Sequence, residues 1–169
     1  SLVTGVVLGI GRPLRRGGSG FAALLAFVAV ALAAVVSLGS PWLALRKIDA
    51  ATRALDSGNL GKAVADADSA RSLNPLLPEP LYKLGEAAAR AGDVSAARAR
   101  FRQATRLQPE NSTTWYRLGQ FEFYGSQDLC AAYTAFNHAY TLDPDGSEWT
   151  KGGLLDKARD AVNNDRACG

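Results

Sequence analysis

The chain has 169 residues, 47% of them hydrophobic, enough for one ordinary domain and an appendage. Its net charge of +3 is matched by three arginines near the start, Arg12, Arg15 and Arg16, whereas from Arg46 onward basic and acidic residues balance at 16 each. A balanced domain lacks the one-sided field with which nucleic-acid binders displace counterions from phosphates, so no nucleic-acid partner is expected.

In chain order, Ser1 to Gly11 (SLVTGVVLGIG) is apolar but too short to cross a bilayer. Residues 1–19 read as the end of a preceding membrane segment and a short basic loop, which would make the chain the C-terminal piece of a longer polytopic protein. A complete chain with an unusual start is the alternative. Residues 20–43 are expected to form a transmembrane helix. The uninterrupted apolar part, Phe21 to Leu38, comes to 18 residues, or about 27 Å at the helical rise. A secretory signal has a shorter core and a small-residue cleavage site, and the residues after Arg15 and Arg16 do not continue as a twin-arginine signal.

Basic residues of short loops stay cytoplasmic, so Arg12, Arg15 and Arg16 place the residues beyond the span outside the cytoplasm; Arg46 and Lys47 at the other end weaken that bias. At the exit, Pro41 suits the first turn of a new helix, Ser40 can cap it, and the Trp42 indole favours the headgroup region.

Beyond residue 43 the chain repeats itself at an offset of 34: Gly58 returns as Gly92, Ala63 as Ala97, Ala70 as Ala104, Leu73 as Leu107 and Pro75 as Pro109. A third copy comes one residue late, with Ala132, Phe136, Ala139, Leu142 and Pro144, the additional residue falling around Gly125 to Asp128. Three repeats are expected, 44–77, 78–111 and 112–146. Gly85 and Gly119 let the two helices of a pair approach closely, and the prolines end the second helices. Large apolar groups, among them Leu81, Leu84, Phe101, Trp115, Leu118 and Phe136, fill the space between pairs. The first copy is degenerate, with Lys47, Ala50 and Ala67 where the second has Leu81, Leu84 and Phe101. Within 147–169, Leu154, Leu155, Ala158, Ala161 and Val162 recur at helical spacing and predict a capping helix.

The run Leu81, Leu84-Gly85, Ala97, Phe101, Ala104, Pro109, followed by Trp115, Leu118-Gly119, Ala132, Phe136, Ala139, Pro144, resembles the tetratricopeptide-repeat (TPR) family over residues 44–146. The resemblance implies an all-α fold, here a transmembrane helix followed by an α-solenoid of about three helix-turn-helix repeats and a C-terminal capping helix. Its concave face, lined by the first helix of each pair, would hold segments of partner proteins. A second resemblance covers residues 1 to about 145. The apolar span, SPWLAL, ADADSARSLNPL, GDVSAARARFRQA and PENSTTWYRLG look like the C-terminal tail of bacterial O-antigen ligase family membrane proteins. That family transfers or polymerises lipid-linked glycans with residues of upstream segments, so no catalytic residue carries over.

Counting within the repeat, the concave face should present Tyr82, Glu86 and Arg90 from the second pair and Tyr116, Gln120, Phe123 and Tyr124 from the third, a mix of aromatic anchors and polar groups suited to protein binding. For Phe123, packing against a neighbouring helix is an equal alternative. The paired lysines and asparagines with which chaperone-binding TPR proteins clamp a C-terminal carboxylate are missing from this set. Arg98, Arg100, Arg102 and Arg106 could meet an anionic glycan, lipid or acidic protein, or form a solvated face.

His138 has no cluster of metal-ligand residues around it in the sequence, no nucleophile with a matched base is apparent, and the Gly152-Gly153 pair does not continue as a phosphate loop. Neither a cofactor nor a metal is expected, and the chain is not expected to be an enzyme. Cys130 and Cys168 could form a disulfide on an extracytoplasmic face. Asn111-Ser112-Thr113 fits a glycosylation sequon, although a helix-pair turn also explains Asn111.

The function expected is that of a membrane-anchored TPR scaffold, the extracytoplasmic tail of an O-antigen-ligase-like surface-glycan assembly protein in a bacterial cytoplasmic membrane. The alternative is a free-standing single-span TPR adaptor for another envelope or respiratory complex. The partners are a protein or peptide in the groove and the bilayer through residues 20–43, with glycan contact left open.

Overall fold

The computed structural model describes residues 27–28 and 41–164. The chain divides into two compact units, residues 1–38 and 39–169. Of the first, only Phe27 and Val28 are described, both helical and exposed. The predicted membrane span, the basic loop and Cys168 therefore lie outside the described residues, save for those two residues and the stretch from Pro41. Among the described residues no helix is long and apolar enough to cross a membrane.

The second unit is all helical over its described residues. Helix α1 covers 41–56, followed by α2 (Leu60–Leu73), α3 (Glu79–Arg90), α4 (Val94–Leu107), α5 (Ser112–Tyr124), α6 (Leu129–Leu142) and α7 (Leu154–Asn164). Each of α2 to α6 packs on the next, and α7 packs on α6, so the pairs α1–α2, α3–α4 and α5–α6 stack in order.

The chain turns within a pair by the same device each time. Gly58 and Gly92 take φ of +75° and +83°, and in the third pair Gln127 holds the left-handed conformation at +57°, a place where a glycine would be less strained. The next residues, Asn59, Asp93 and Asp128, cap the second helices by accepting from the amides of Lys62, Ala96 and Ala131 at 3.0, 2.8 and 2.9 Å. The second helices stop at Leu73, Leu107 and Leu142, two residues before Pro75, Pro109 and Pro144, where a missing amide and a ring clash forbid continuation.

Close approach within a pair depends on missing Cβ atoms. A methyl group at Gly85 would stand 2.7 Å from the Phe101 ring, and one at Gly119 would stand 2.6 Å from Phe136. Phe101 in turn stacks on Phe121 of the next pair, with ring centroids 5.0 Å apart, and gathers Leu81, Leu84, Ala97, Ala104 and Leu118 into one core. The far end closes when Leu155 and Ala158 of α7 bury against Ala132 and Phe136. Trp149 stands 34 residues after Trp115, and their indole nitrogens donate alike, to the carbonyls of Asp143 (2.6 Å) and Pro109 (2.7 Å).

In the degenerate first pair an ion cluster replaces missing apolar bulk. Asp66, 5% exposed, accepts from Lys47 at 2.8 Å and from Lys62 at 2.9 Å. These two hydrogen bonds hold its carboxyl below the ordinary value, against the opposing effect of burial. A lowered folded-state pKa means that the stabilisation is fully present above the unfolded value of 3.8 and drains as pH falls through the folded one. Both lysines are largely exposed, so Asp66→Asn is expected to cost only about 1 kcal/mol near neutral pH. Urea midpoints of parent and variant should then converge as pH falls from 3.8 through the lowered folded-state value; a gap that stays constant with pH would refute the ionic origin.

Candidate protein-interaction groove

The first helices α3 and α5 flank a recess of about 190 Å³. Its floor is the Phe101–Phe121 stack with Ala89; its rim carries Glu86 from α3, then Arg117, Gln120 and Tyr124 from α5, with Gly125 at one end. Arg117, Gln120, Phe121 and Tyr124 follow helical spacing, which brings all four side chains to one face. Glu86 pairs with Lys83 at 3.1 Å, and Arg117 donates to the Gln120 amide oxygen at 3.2 Å. These contacts are exposed or partly so and rearrange at little cost. Tyr124 is 65% exposed, its ring edge-on to Phe123 at 5.0 Å.

Of the seven residues counted to this face, Glu86, Gln120 and Tyr124 therefore converge on the recess. The other four do not join them. Tyr82 is 6% exposed, a core member beside Leu81 and Leu84, with its ring 6.4 Å from Phe101. Its hydroxyl is buried and has no hydrogen-bond partner among the described residues; burial, and then the charge of Glu79, push its phenol far above the usual range. Tyr116 and Phe123 pack toward the third core, on Phe136 at 5.5 and 6.5 Å, and Tyr116 also meets Trp149 at 5.5 Å. Arg90 donates to the carbonyl of Leu55, tying α3 to the end of α1. Sequence counting missed Arg117 and Phe121, although their spacing from Gln120 and Tyr124 would have found them.

The four arginines of α4 also separate. Arg98 grips Glu122 of α5 with both Nε and Nη2 at 2.8 Å, Glu122 being 1% exposed. Arg100 lies 3.4 Å from the Gln103 amide oxygen. Arg102 and Arg106 edge a cleft of about 410 Å³ between α4 and α6, walled by Trp115, Leu118 and Ala135. His138 lies against Trp115, with ring centroids 4.1 Å apart, and among the described residues no group of His, Cys, Asp and Glu is placed to hold a metal. Asn111 caps α5 by accepting from Thr113 at 3.0 Å. Of the possible Cys130–Cys168 disulfide, Cys168 lies outside the described residues.

Stacked helical hairpins, small residues opposite phenylalanines and a recess between successive first helices define an α-solenoid scaffold. Residues 48–94 and 82–147 match the tetratricopeptide repeat family, and the chain belongs to that family. No curated protein sequence matches it significantly. Among solved structures it is similar to the first TPR domain of human RPAP3, at 19% identity and a TM-score of 0.61 over 76% of this chain and 99% of that one. It is also similar to the Sgt2 TPR domain of Aspergillus fumigatus, at 21% identity and a TM-score of 0.60 over 73% and 83%. The first TPR of Spaghetti (RPAP3), solved bound to the HSP90 peptide SRMEEVD, aligns at 20% identity and a TM-score of 0.57 over 73% and 95%. At these identities the likeness establishes the fold, which in general serves as a non-catalytic scaffold for protein–protein interaction.

Proposed function

We propose that this chain is a membrane-anchored TPR scaffold that holds a protein or peptide partner in the recess between α3 and α5. The observation that carries the reading is the recess itself, where an apolar floor of stacked phenylalanines is ringed by an exposed tyrosine and three polar groups. A peptide-bound relative of the same fold supports a peptide as the partner class. The rim of Glu86, Arg117 and Gln120 differs from a carboxylate clamp, so the ligand is better matched by a segment that inserts one bulky apolar side chain than by a chain terminus.

The anchor is the uncharged run Phe21 to Leu38, and the three arginines before it favour an extracytoplasmic position for the repeats in a bacterial cytoplasmic membrane. The likeness of span and repeats to the O-antigen ligase family tail supports a role in surface-glycan assembly, where the scaffold would recruit or position partners. A Cys130–Cys168 disulfide belongs to the same extracytoplasmic reading.

The test is a detergent pull-down of the full chain, comparing parent with Arg117→Glu and Tyr124→Ala. Both residues are exposed, so thermal unfolding should stay within a degree or two, while partner recovery should fall about tenfold or more, as for a rim charge reversed and an aromatic anchor removed. Undiminished recovery by both variants would discard the recess as the binding site.

A further inference from the structure

In a stack of helix pairs, each pair covers the open face of the one before it. The face of α1 that turns away from the stack is composed differently from its counterparts. Leu43, Arg46, Lys47, Ala50 and Arg53 fall on one side of the helix and, with Leu73 of α2, line a cleft of about 420 Å³. One repeat later, the places of Arg46, Lys47, Ala50 and Arg53 are taken by Pro80, Leu81, Leu84 and Ala87, all buried. Two repeats later they are Thr114, Trp115, Leu118 and Phe121, of which all but the half-buried Trp115 are buried. Positions that carry apolar packing in α3 and α5 thus hold three cations in α1. Such a face is poorly made for another helix pair, because burying guanidinium and ammonium groups against apolar side chains is costly.

The charges are also available. Lys47 reaches Asp66, but Arg46 and Arg53 form no ion pair among the described residues; Asp49, on the same helix, pairs with neither. The Arg46 guanidinium lies over the Trp42 ring, 4.7 Å from its centroid. Trp42, Leu43 and Leu45 are 57%, 44% and 53% exposed, a dense apolar and aromatic patch beside the cations. In sequence this helix lies only two residues after the 18-residue uncharged run that ends at Leu38.

We propose that this face of α1 is a docking site for an anionic phospholipid headgroup of the bilayer, an inference that rests on the membrane-anchor reading above. The headgroup phosphate sits between Arg46 and Arg53, whose planar donors suit phosphate oxygens. Leu43, Ala50 and Leu73 lie against the glycerol and upper acyl carbons, and Trp42 takes the interfacial position that indoles favour. The contact would hold the first repeat against the membrane, leaving the α3–α5 recess at a set height above it.

The experiment is native mass spectrometry of the full detergent-solubilised chain with phosphatidylglycerol or phosphatidylcholine at equal mole fraction. Phosphatidylglycerol should be retained about tenfold better or more, and Arg46→Gln/Arg53→Gln should bring it down to the phosphatidylcholine level, at about fivefold per charge removed. Both arginines are exposed, so thermal unfolding of the double variant should match the parent. Equal retention of the two lipids, as expected if a protein segment covers this face, would overturn the site. So would selectivity that survives the double substitution, or loss of lipid to excess inorganic phosphate. Flotation with phosphatidylcholine vesicles at high salt separates the two readings. A chain that fails to float yet still selects phosphatidylglycerol contradicts the anchor alone; a chain that floats without selectivity contradicts the headgroup site alone.

Discussion

Phe136→Ala is expected to lower the unfolding free energy by about 4 kcal/mol, which for a domain of this size is a large part of the total. The ring is 0% exposed and acts as the joint between two layers. One face fills the gap left by the absent Cβ of Gly119; the other meets Ala132, Leu155 and Ala158, closing α7 over the end of the stack. Removing it opens a cavity bordered in part by Ala132 and Ala158, which carry no atoms to move inward. Phe136→Leu should restore more than half of the loss by keeping most of the volume. Urea unfolding measures both; a deficit below about 1.5 kcal/mol for the alanine variant would mean that this end of the stack is far more plastic than its packing implies.

Arg98→Ala should rank next, at about 3 kcal/mol, because it strands a buried carboxylate. Glu122 is 1% exposed and receives two hydrogen bonds from Arg98 at 2.8 Å together with the Ser126 hydroxyl at 2.5 Å. The guanidinium itself is partly open to solvent, with its side chain 29% exposed, which keeps the expected loss at the lower end of the range for buried pairs. The repeat provides its own control. One period earlier the same two positions are Val64 and Ala88, an apolar solution to the same interface. Arg98→Val combined with Glu122→Ala should therefore recover to within about 1 kcal/mol of the parent, since the loss comes from leaving one charge alone and not from losing the pair. A double variant as unstable as the single one would show that the pair contributes directly.

Local signals in the sequence reach far into this fold. The 34-residue period, the turn residues before Asn59, Asp93 and Asp128, and the prolines that end the second helices all act within a few residues of themselves, so they can be read without a partner. The glycines go one step further: the absence of a side chain at Gly85 and Gly119 pointed to close approach, and the structure supplies the rings of Phe101 and Phe136 that require it. The candidate site was less legible. Helical counting gives the angle of Tyr82, Tyr116 and Phe123 on their helices but not what faces them, and all three turn into packed neighbours. Arg117 and Phe121 were legible from their helical spacing to Gln120 and Tyr124, but that α3 faces them across the recess was not. Long-range ionic partners were not legible either, since nothing local joins Lys47 to Asp66 or Arg98 to Glu122, 19 and 24 residues apart.

By itself, then, the sequence determined that this chain would form stacked helical hairpins, where each would turn and stop, and that residues 21–38 would carry no charge. These features come from backbone preferences and from spacing along a single helix. Only the tertiary structure decided which aromatic rings are consumed by the core and which remain open at the α3–α5 recess. It also decided that α1 offers arginines where the later first helices offer apolar packing. The physical reason is that burial is a property of pairs of surfaces, and a side chain becomes core or contact only when the neighbouring helix arrives.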